Sequence, residues 1–400
     1  MKKKKVLMLG GSHFQTPSII RAKEMGFYVI SCDYLSDNPG HKYSDKFINV
    51  STIDKEEVLK VAKREKIDGI VCYASDPSAT TAAYVCEKME FPTNPYKSVE
   101  ILSNKDIFRD FLLKNKFFVP KAKGYESLED AKKEFSSFTM PVMLKPTDSS
   151  GSKGVHKINN INALSESFND AMTYSRSKKI IIEEYVKKSG YQIAGDGFSV
   201  NGKLVFRCFA NEHFEKSGIN PFVPVGESWP YNMPNEVHQK VHDEIQRLLT
   251  LLNMNTGAYN FDIRIDNNNN IYIMELGPRN GGNLIPQVTK YATGVDMVEY
   301  TIKSAMGLDC SDLIMKDVEG YWSCYMLHSN QTGVFNKVRL KKEIKNNIVE
   351  FEMFYKNGDL INSFTGSGGT LGTMILKFNS MNEMLNKMDN MDKFIQVIIE

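Results

Sequence analysis

MLKPTDSSGSKGV, residues 143–155, ends an apolar strand on Lys145 and Pro146 and then runs into serine and glycine with a second lysine, Lys153. A backbone this free exposes many N–H groups, and exposed N–H groups suit a polyanion. The stretch does not read GxxxxGK[ST], so it is not a P-loop. Here the lysine comes first and the loop second. Lys145 stands at the end of a strand, so its ammonium has a fixed place. Ser149, Ser150, Gly151 and Ser152 can then fold over a phosphate chain as a flap. The bland alternative is a solvent-exposed hairpin loop.

What lies around the loop supplies the rest of a nucleotide site. Lys105, on a helix some 40 residues earlier, is a second cation, although a lone helical lysine is usually only solvated. KIIIEEYV (179–186) is a buried strand ending in Glu183, Glu184, Tyr185 and Val186. Backbone groups at such an end can pair with an adenine edge; an ordinary strand end with solvated acids is the alternative. FDIRI and IYIMEL each place one carboxylate, Asp262 and Glu275, on an otherwise apolar strand. On adjacent antiparallel strands the two converge, and paired carboxylates near a triphosphate hold Mg²⁺, which takes oxygen ligands and keeps water and phosphate in its shell. An acid/base couple is the rival reading. LGPRNGGN (276–283) follows. Arg279 offers a fork to a carboxylate or phosphate, and Gly281 and Gly282 let bare N–H groups approach it.

The rest of the chain frames these residues. Four hundred residues exceed what one core serves, so two or three domains are expected. With 42% hydrophobic residues, 24% charged and a net charge of +2, the chain is neither disordered nor a polycation, which argues against nucleic acid as a partner and for small ligands. The apolar run after MKKKK, Val6 to Leu9, is too short for a signal peptide, and no stretch approaches the roughly 20 residues of a membrane span, so a cytoplasmic protein without membrane contact is expected. Six scattered cysteines without a CxxC read as reduced thiols. Residues 1–100 alternate short apolar strands with helices, which implies a parallel, Rossmann-like sheet. MLGGSHFQTP (8–17) lacks the spaced glycines of a dinucleotide fingerprint, so it reads as a tight turn or the wall of a cleft. Asp76-Pro77, at the end of a later strand, lines the same edge or merely caps a helix. Residues 101–309 carry the candidate chemistry. Residues 310–400 form a small α+β domain. The segment 211–236 reads as irregular, which suits a lid or specificity element.

Lys105, the loop after Lys145, EEYV, Asp262 and E-x-x-P-R-x-G-G, in this order, resemble the ATP-grasp enzymes. These include biotin carboxylase, D-alanine–D-alanine ligase, the carbamoyl phosphate synthetase large subunit and L-amino-acid ligases. The resemblance covers about residues 1–310. It implies a central fold of two α+β halves clasping ATP, with Mg²⁺ (or Mn²⁺) at Asp262 and Glu275. It further implies phosphate transfer to a carboxylate and displacement of that phosphate by an amine. Arg279, Gly281 and Gly282 would face the carboxylate. Dimers are common in similar proteins. A bicarbonate-activating enzyme is the runner-up, and a non-catalytic nucleotide-binding subunit is the alternative of another class. Two departures stand out. Gln192 occupies the place of the family's ribose-binding glutamate, and Gly277 the place of a metal-binding asparagine.

Overall fold

The computed structural model describes residues 3–215 and 218–400. Two residues of the lysine-rich start and two of the 211–236 segment thus lie outside the described residues. The N-terminal region is a parallel sheet of β1 (Lys5–Leu9), β2 (Tyr28–Asp33), β3 (Lys46–Asn49) and β4 (Gly69–Cys72) in the order β3-β2-β1-β4. Val6 to Leu9 are all buried, as a strand covered on both faces requires. The order reverses between β1 and β4, and ligands of open α/β sheets bind outside the carboxyl ends at such a point. The turn after β1 and the start of helix Asp76–Met89 lie there.

The next sheet is antiparallel: β5 (Ala122–Tyr125), β6 (Val142–Pro146), β7 (His156–Ile158) and β8 (Ile180–Glu184), in the order β5-β8-β6-β7. Its core includes Leu144, Phe168, Ile180 and Ile182.

The largest sheet has eight strands. From the central region come β9 (Gln192–Val200), β10 (Lys203–Phe214), β11 (Pro224–Trp229), β12 (Gly257–Ile265) and β13 (Ile271–Gly277). β14 (Tyr321–Leu327), β16 (Ile348–Met353) and β18 (Gly372–Phe378) extend it, in the order β13-β12-β9-β10-β11-β14-β18-β16. β15 (Gly333–Leu340), β17 (Leu360–Ile361) and β19 (Ile395–Ile399) make a separate three-stranded sheet. The sheet therefore runs across the expected boundary at 309/310, because β11 pairs with β14. The 211–236 segment, expected to be irregular, contains strand: β10 continues to Phe214 and β11 returns beside it.

Helix Asn235–Leu251 buries Val241, Ile245, Leu248 and Leu249 on one stripe against Tyr259, Phe261 and Ile263 of the large sheet. Burial of each such side chain contributes about 1.5–3 kcal/mol. That packing fixes the two faces of β12. Phe261, Ile263 and Ile265 point into the core, so the period of two turns Asn260, Asp262 and Arg264 to the opposite face. Asn201 and Gly202 both have positive φ at the β9–β10 turn, the type I′ geometry that their residue types favour.

Candidate active site

A cleft of about 980 Å³ opens between the sheets and is lined from every region of the chain. Lys105 and Lys145 both reach it. Lys105 Nζ donates to Ser149 O at 2.8 Å and lies 3.3 Å from Glu275 Oε2. Lys145 Nζ lies 2.5 Å from Glu183 Oε1, and Arg109 Nε donates to Glu183 Oε2 at 2.9 Å. Burial alone would raise the Glu183 carboxyl, but the two cations overcome it and hold it down at about 2. Burial pushes Lys145 below the usual lysine range despite Glu183.

The loop 149–154 has the conformation its composition permits, with positive φ at Gly151, Ser152 and Gly154. Its base is tied by Asp148, which accepts from Ser177 N at 2.7 Å. Its tip rests on two other segments. Ser152 Oγ donates to Phe222 O at 2.8 Å, and Asn220 Nδ2 donates to both Ser152 O (3.2 Å) and Thr365 O (3.0 Å). Ser149 to Lys153 line the cleft together with Phe364, Ser367 and Thr370 of the C-terminal region.

Asp262 and Glu275 face each other in register across β12 and β13, with a bulge directly after Asp262. Burial and the nearby Glu275 push Asp262 above the usual carboxylate range, although Arg264 pulls it down. Asp262 Oδ1 is buried without a hydrogen-bond partner. A desolvated carboxylate oxygen beside a second carboxylate fits a cation. Two carboxylates supply only part of a Mg²⁺ shell, so phosphate and water would complete it.

In EEYV several groups already have partners within the fold. Glu183 sits inside the sheet, paired with Ala122 on one side and Met143 on the other, and its side chain is the anion between Arg109 and Lys145. Glu184 N donates to Lys121 O and Tyr185 N to Pro141 O, so these two N–H groups are already satisfied. Glu184 Oε1 accepts from Thr139 N at 2.8 Å. The Tyr185 ring lines the cleft, and Val186 O accepts from Arg264 Nη1 at 3.3 Å. Gln192 also has its partners: Nε2 donates to Glu212 Oε2 and Oε1 accepts from Arg264 Nε, both at 2.6 Å. It is a neutral link between an acid and a base on the cleft wall.

Arg279 is held from the N-terminal region. Its Nε and Nη2 donate to the two oxygens of Asp76 at 2.7 and 2.5 Å, and Nη1 donates to Asn280 O at 2.9 Å. The Gly281 N–H, expected to face a ligand, is engaged within the fold. It donates to Asp196, at 2.8 and 3.0 Å to the two oxygens. A Cβ on Gly281 would stand 2.7 Å from Asn260 Nδ2, so glycine there serves packing. Gly282 lines the cleft with open space where a Cβ would be.

Sequence reasoning missed the acids of the inner wall. Glu212 is half-buried, and desolvation together with Asp262 and Glu227 pushes its carboxyl up. Glu227 is 2% exposed, with its carboxyl pushed up to about 7 by burial; it accepts from Cys324 Sγ at 2.8 Å and Asn283 Nδ2 at 3.4 Å. His213, likewise buried, bridges Ser228 Oγ and Asp389 Oδ1, each at 2.8 Å. A carboxylate between apolar neighbours on a strand points to Asp262, whereas Glu227 lies between Gly226 and Ser228, with only Val225 and Trp229 two positions away as a signal. The six cysteines are free, and no helix among the described residues is long and apolar enough to cross a membrane.

Residues 138–287 match the family model of the ATP-grasp domain. The carbamoyl phosphate synthase large chain of Clostridium botulinum is 23% identical over 327 residues, which is 78% of this chain but only 30% of that protein. The formate-dependent phosphoribosylglycinamide formyltransferase of Prochlorococcus marinus is 24% identical over 404 residues, 99% of both chains. Among solved structures, an L-amino acid ligase from Bacillus licheniformis superposes with a TM-score of 0.81 at 18% identity over 100% of both chains. The biotin carboxylase domain of a 2-oxoglutarate carboxylase from Hydrogenobacter thermophilus, solved with MgADP and bicarbonate, has a TM-score of 0.75 at 16% identity, covering 100% of this chain and 91% of that one. At such identities the likeness of structure shows the fold.

Proposed function

With an ATP-grasp domain at residues 138–287 as its centre, we propose that the chain is a Mg²⁺- and ATP-dependent ligase joining a small carboxylate to an amine. The observation that carries this reading is convergence. Two lysines, a serine–glycine loop, a facing carboxylate pair and an arginine, drawn from separate elements, line one cleft.

In this reading Lys105, Lys145 and residues 149–152 hold the phosphates, and Tyr185, Val186 and Gln192 flank the nucleoside. Asp262 and Glu275 would hold Mg²⁺, which would neutralise phosphate charge. Arg279 binds the substrate carboxylate through N–H groups that Asp76 leaves unengaged. A carboxylate oxygen attacks the γ-phosphorus and ADP leaves; the amine then attacks the acyl carbon and phosphate leaves. Positioning and fixed charge supply most of the rate, since phosphoryl transfer asks for little covalent help. The amine must lose a proton as it attacks. Glu227, with a proton affinity near neutrality, is the group on the cleft wall suited to take it.

The test is release of phosphate and ADP from ATP–Mg²⁺, screened over pairs of L-amino acids, formate and amines. The L-amino acid ligase and the formate-dependent relative support those first carboxylates. Turnover with bicarbonate alone would favour the bicarbonate-activating reading. ATP binding without turnover under any pairing would favour a regulatory subunit.

A further inference from the structure

We propose that Asp76, entering from the N-terminal domain through the space left bare at Gly277, is a positioning residue that aims Arg279 at the substrate carboxylate. This rests on the ligase reading above.

The geometry is specific. A guanidinium has two forked edges. Asp76 takes the Nε/Nη2 edge with both oxygens. Nη1 gives one N–H to Asn280 O. One N–H on Nη1 and one on Nη2 remain, enough for a second carboxylate. The pair spans 203 positions of sequence and is mostly shielded, with side-chain exposures of 25% for Asp76 and 10% for Arg279. Asp76 is the first residue of helix Asp76–Met89, where the helix dipole favours a carboxylate.

Gly277 explains how the carboxylate gets there. Its φ is not in the left-handed region, so backbone conformation does not demand glycine. Space does. A Cβ at 277 would lie 3.1 Å from Asp76 Oδ1 and 3.3 Å from Arg279 Cζ. The missing side chain at this position and the carboxylate arriving from another domain are two halves of one arrangement. The N-terminal domain thereby becomes part of the carboxylate subsite.

Phosphate release with ATP–Mg²⁺ is measured for wild type, Asp76→Ala, Gly277→Ala and the double variant, titrating each L-amino acid and formate as the carboxylate probe. Asp76→Ala should lower kcat/KM for the carboxylate about 10- to 100-fold while the KM for ATP moves less than about twofold, a split that general destabilisation would not give. Gly277→Ala should move the same parameter in the same direction, and the double variant should be no worse than Asp76→Ala. An unchanged carboxylate kcat/KM in Asp76→Ala overturns the proposal. So does an increase, which would mean that Asp76 competes for the guanidinium. If wild type turns over none of these probes, the ligase reading has failed, and the positioning claim is read from thermal unfolding of Asp76→Ala, Arg279→Ala and their double variant. Additive losses there would overturn it; strong non-additivity is expected.

Discussion

Lys145 Nζ lies 2.5 Å from Glu183 Oε1 across two paired strands, and Arg109 closes on the other oxygen of the same carboxylate. Glu183 is 1% exposed and so is the buried anion for two cations, one of which faces the cleft. Breaking a buried pair by removing one partner costs about 3–5 kcal/mol, because a charge is left desolvated and unmatched. Glu183→Gln should therefore lower the unfolding midpoint sharply. The carboxyl is depressed to about 2, so its contribution is complete above pH 4.5 and is lost as pH falls from there toward 2. Thermal melts across that range should show a steeper acid loss in wild type than in Glu183→Gln.

ATP with Mg²⁺ should raise the unfolding midpoint of wild type. Ligand at about 100 times its dissociation constant adds roughly 2.7 kcal/mol. Asp262→Asn and Glu275→Gln should keep the fold and lose the Mg²⁺-dependent part of the shift. Asp262→Asn should also melt slightly higher than wild type without ligand, since it removes a carboxylate with one desolvated oxygen that Glu275 repels. A lower ligand-free midpoint would mean that the carboxylate is satisfied by the fold itself.

Glu227 sets a neutral-pH dependence of the opposite sign to Glu183. Its carboxyl is raised from 4.5 to about 7, so the folded protein keeps a proton there that the unfolded chain has lost. Its contribution to stability is complete below pH 4.5, declines as pH rises toward 7 and is then flat. The whole change is on the order of 3 kcal/mol. The midpoint of Glu227→Gln relative to wild type should rise through this window. An offset independent of pH would show that Glu227 titrates normally.

Gly151→Ala should weaken ATP binding more than it weakens the fold. Gly151 has φ +67°, and its Cβ would meet Ser367 Oγ at 2.5 Å, so either the loop or the Ser367 side chain must shift. An L-residue in this conformation costs roughly 1–2 kcal/mol. A several-fold rise in the KM for ATP is expected, with the midpoint lowered by no more than that backbone cost. Equal ATP affinity in the two proteins would remove residues 149–152 from the phosphate site.

The sequence by itself determined the elements and the chemistry that each one carries. Period-two alternation in FDIRI put Asp262 on the face away from the core, and burial of Ile180 to Ile182 made that run a central strand. Both follow from local geometry and the hydrophobic effect, which act on neighbours in the chain. The tertiary structure decided partnership. Glu183 reads as one of two acids at a strand end whose backbone could meet an adenine edge, yet Arg109, 74 positions away, and Lys145 claim its side chain. The Gly281 N–H reads as free for a ligand, yet Asp196 lies beneath it. Gly277 reads as a lost metal ligand, and only packing shows Asp76 occupying its space. Coulomb energy depends on separation in space and on desolvation, and neither is encoded by spacing along the chain. A charged residue therefore announces its chemistry in sequence, while the fold alone chooses which charge answers it.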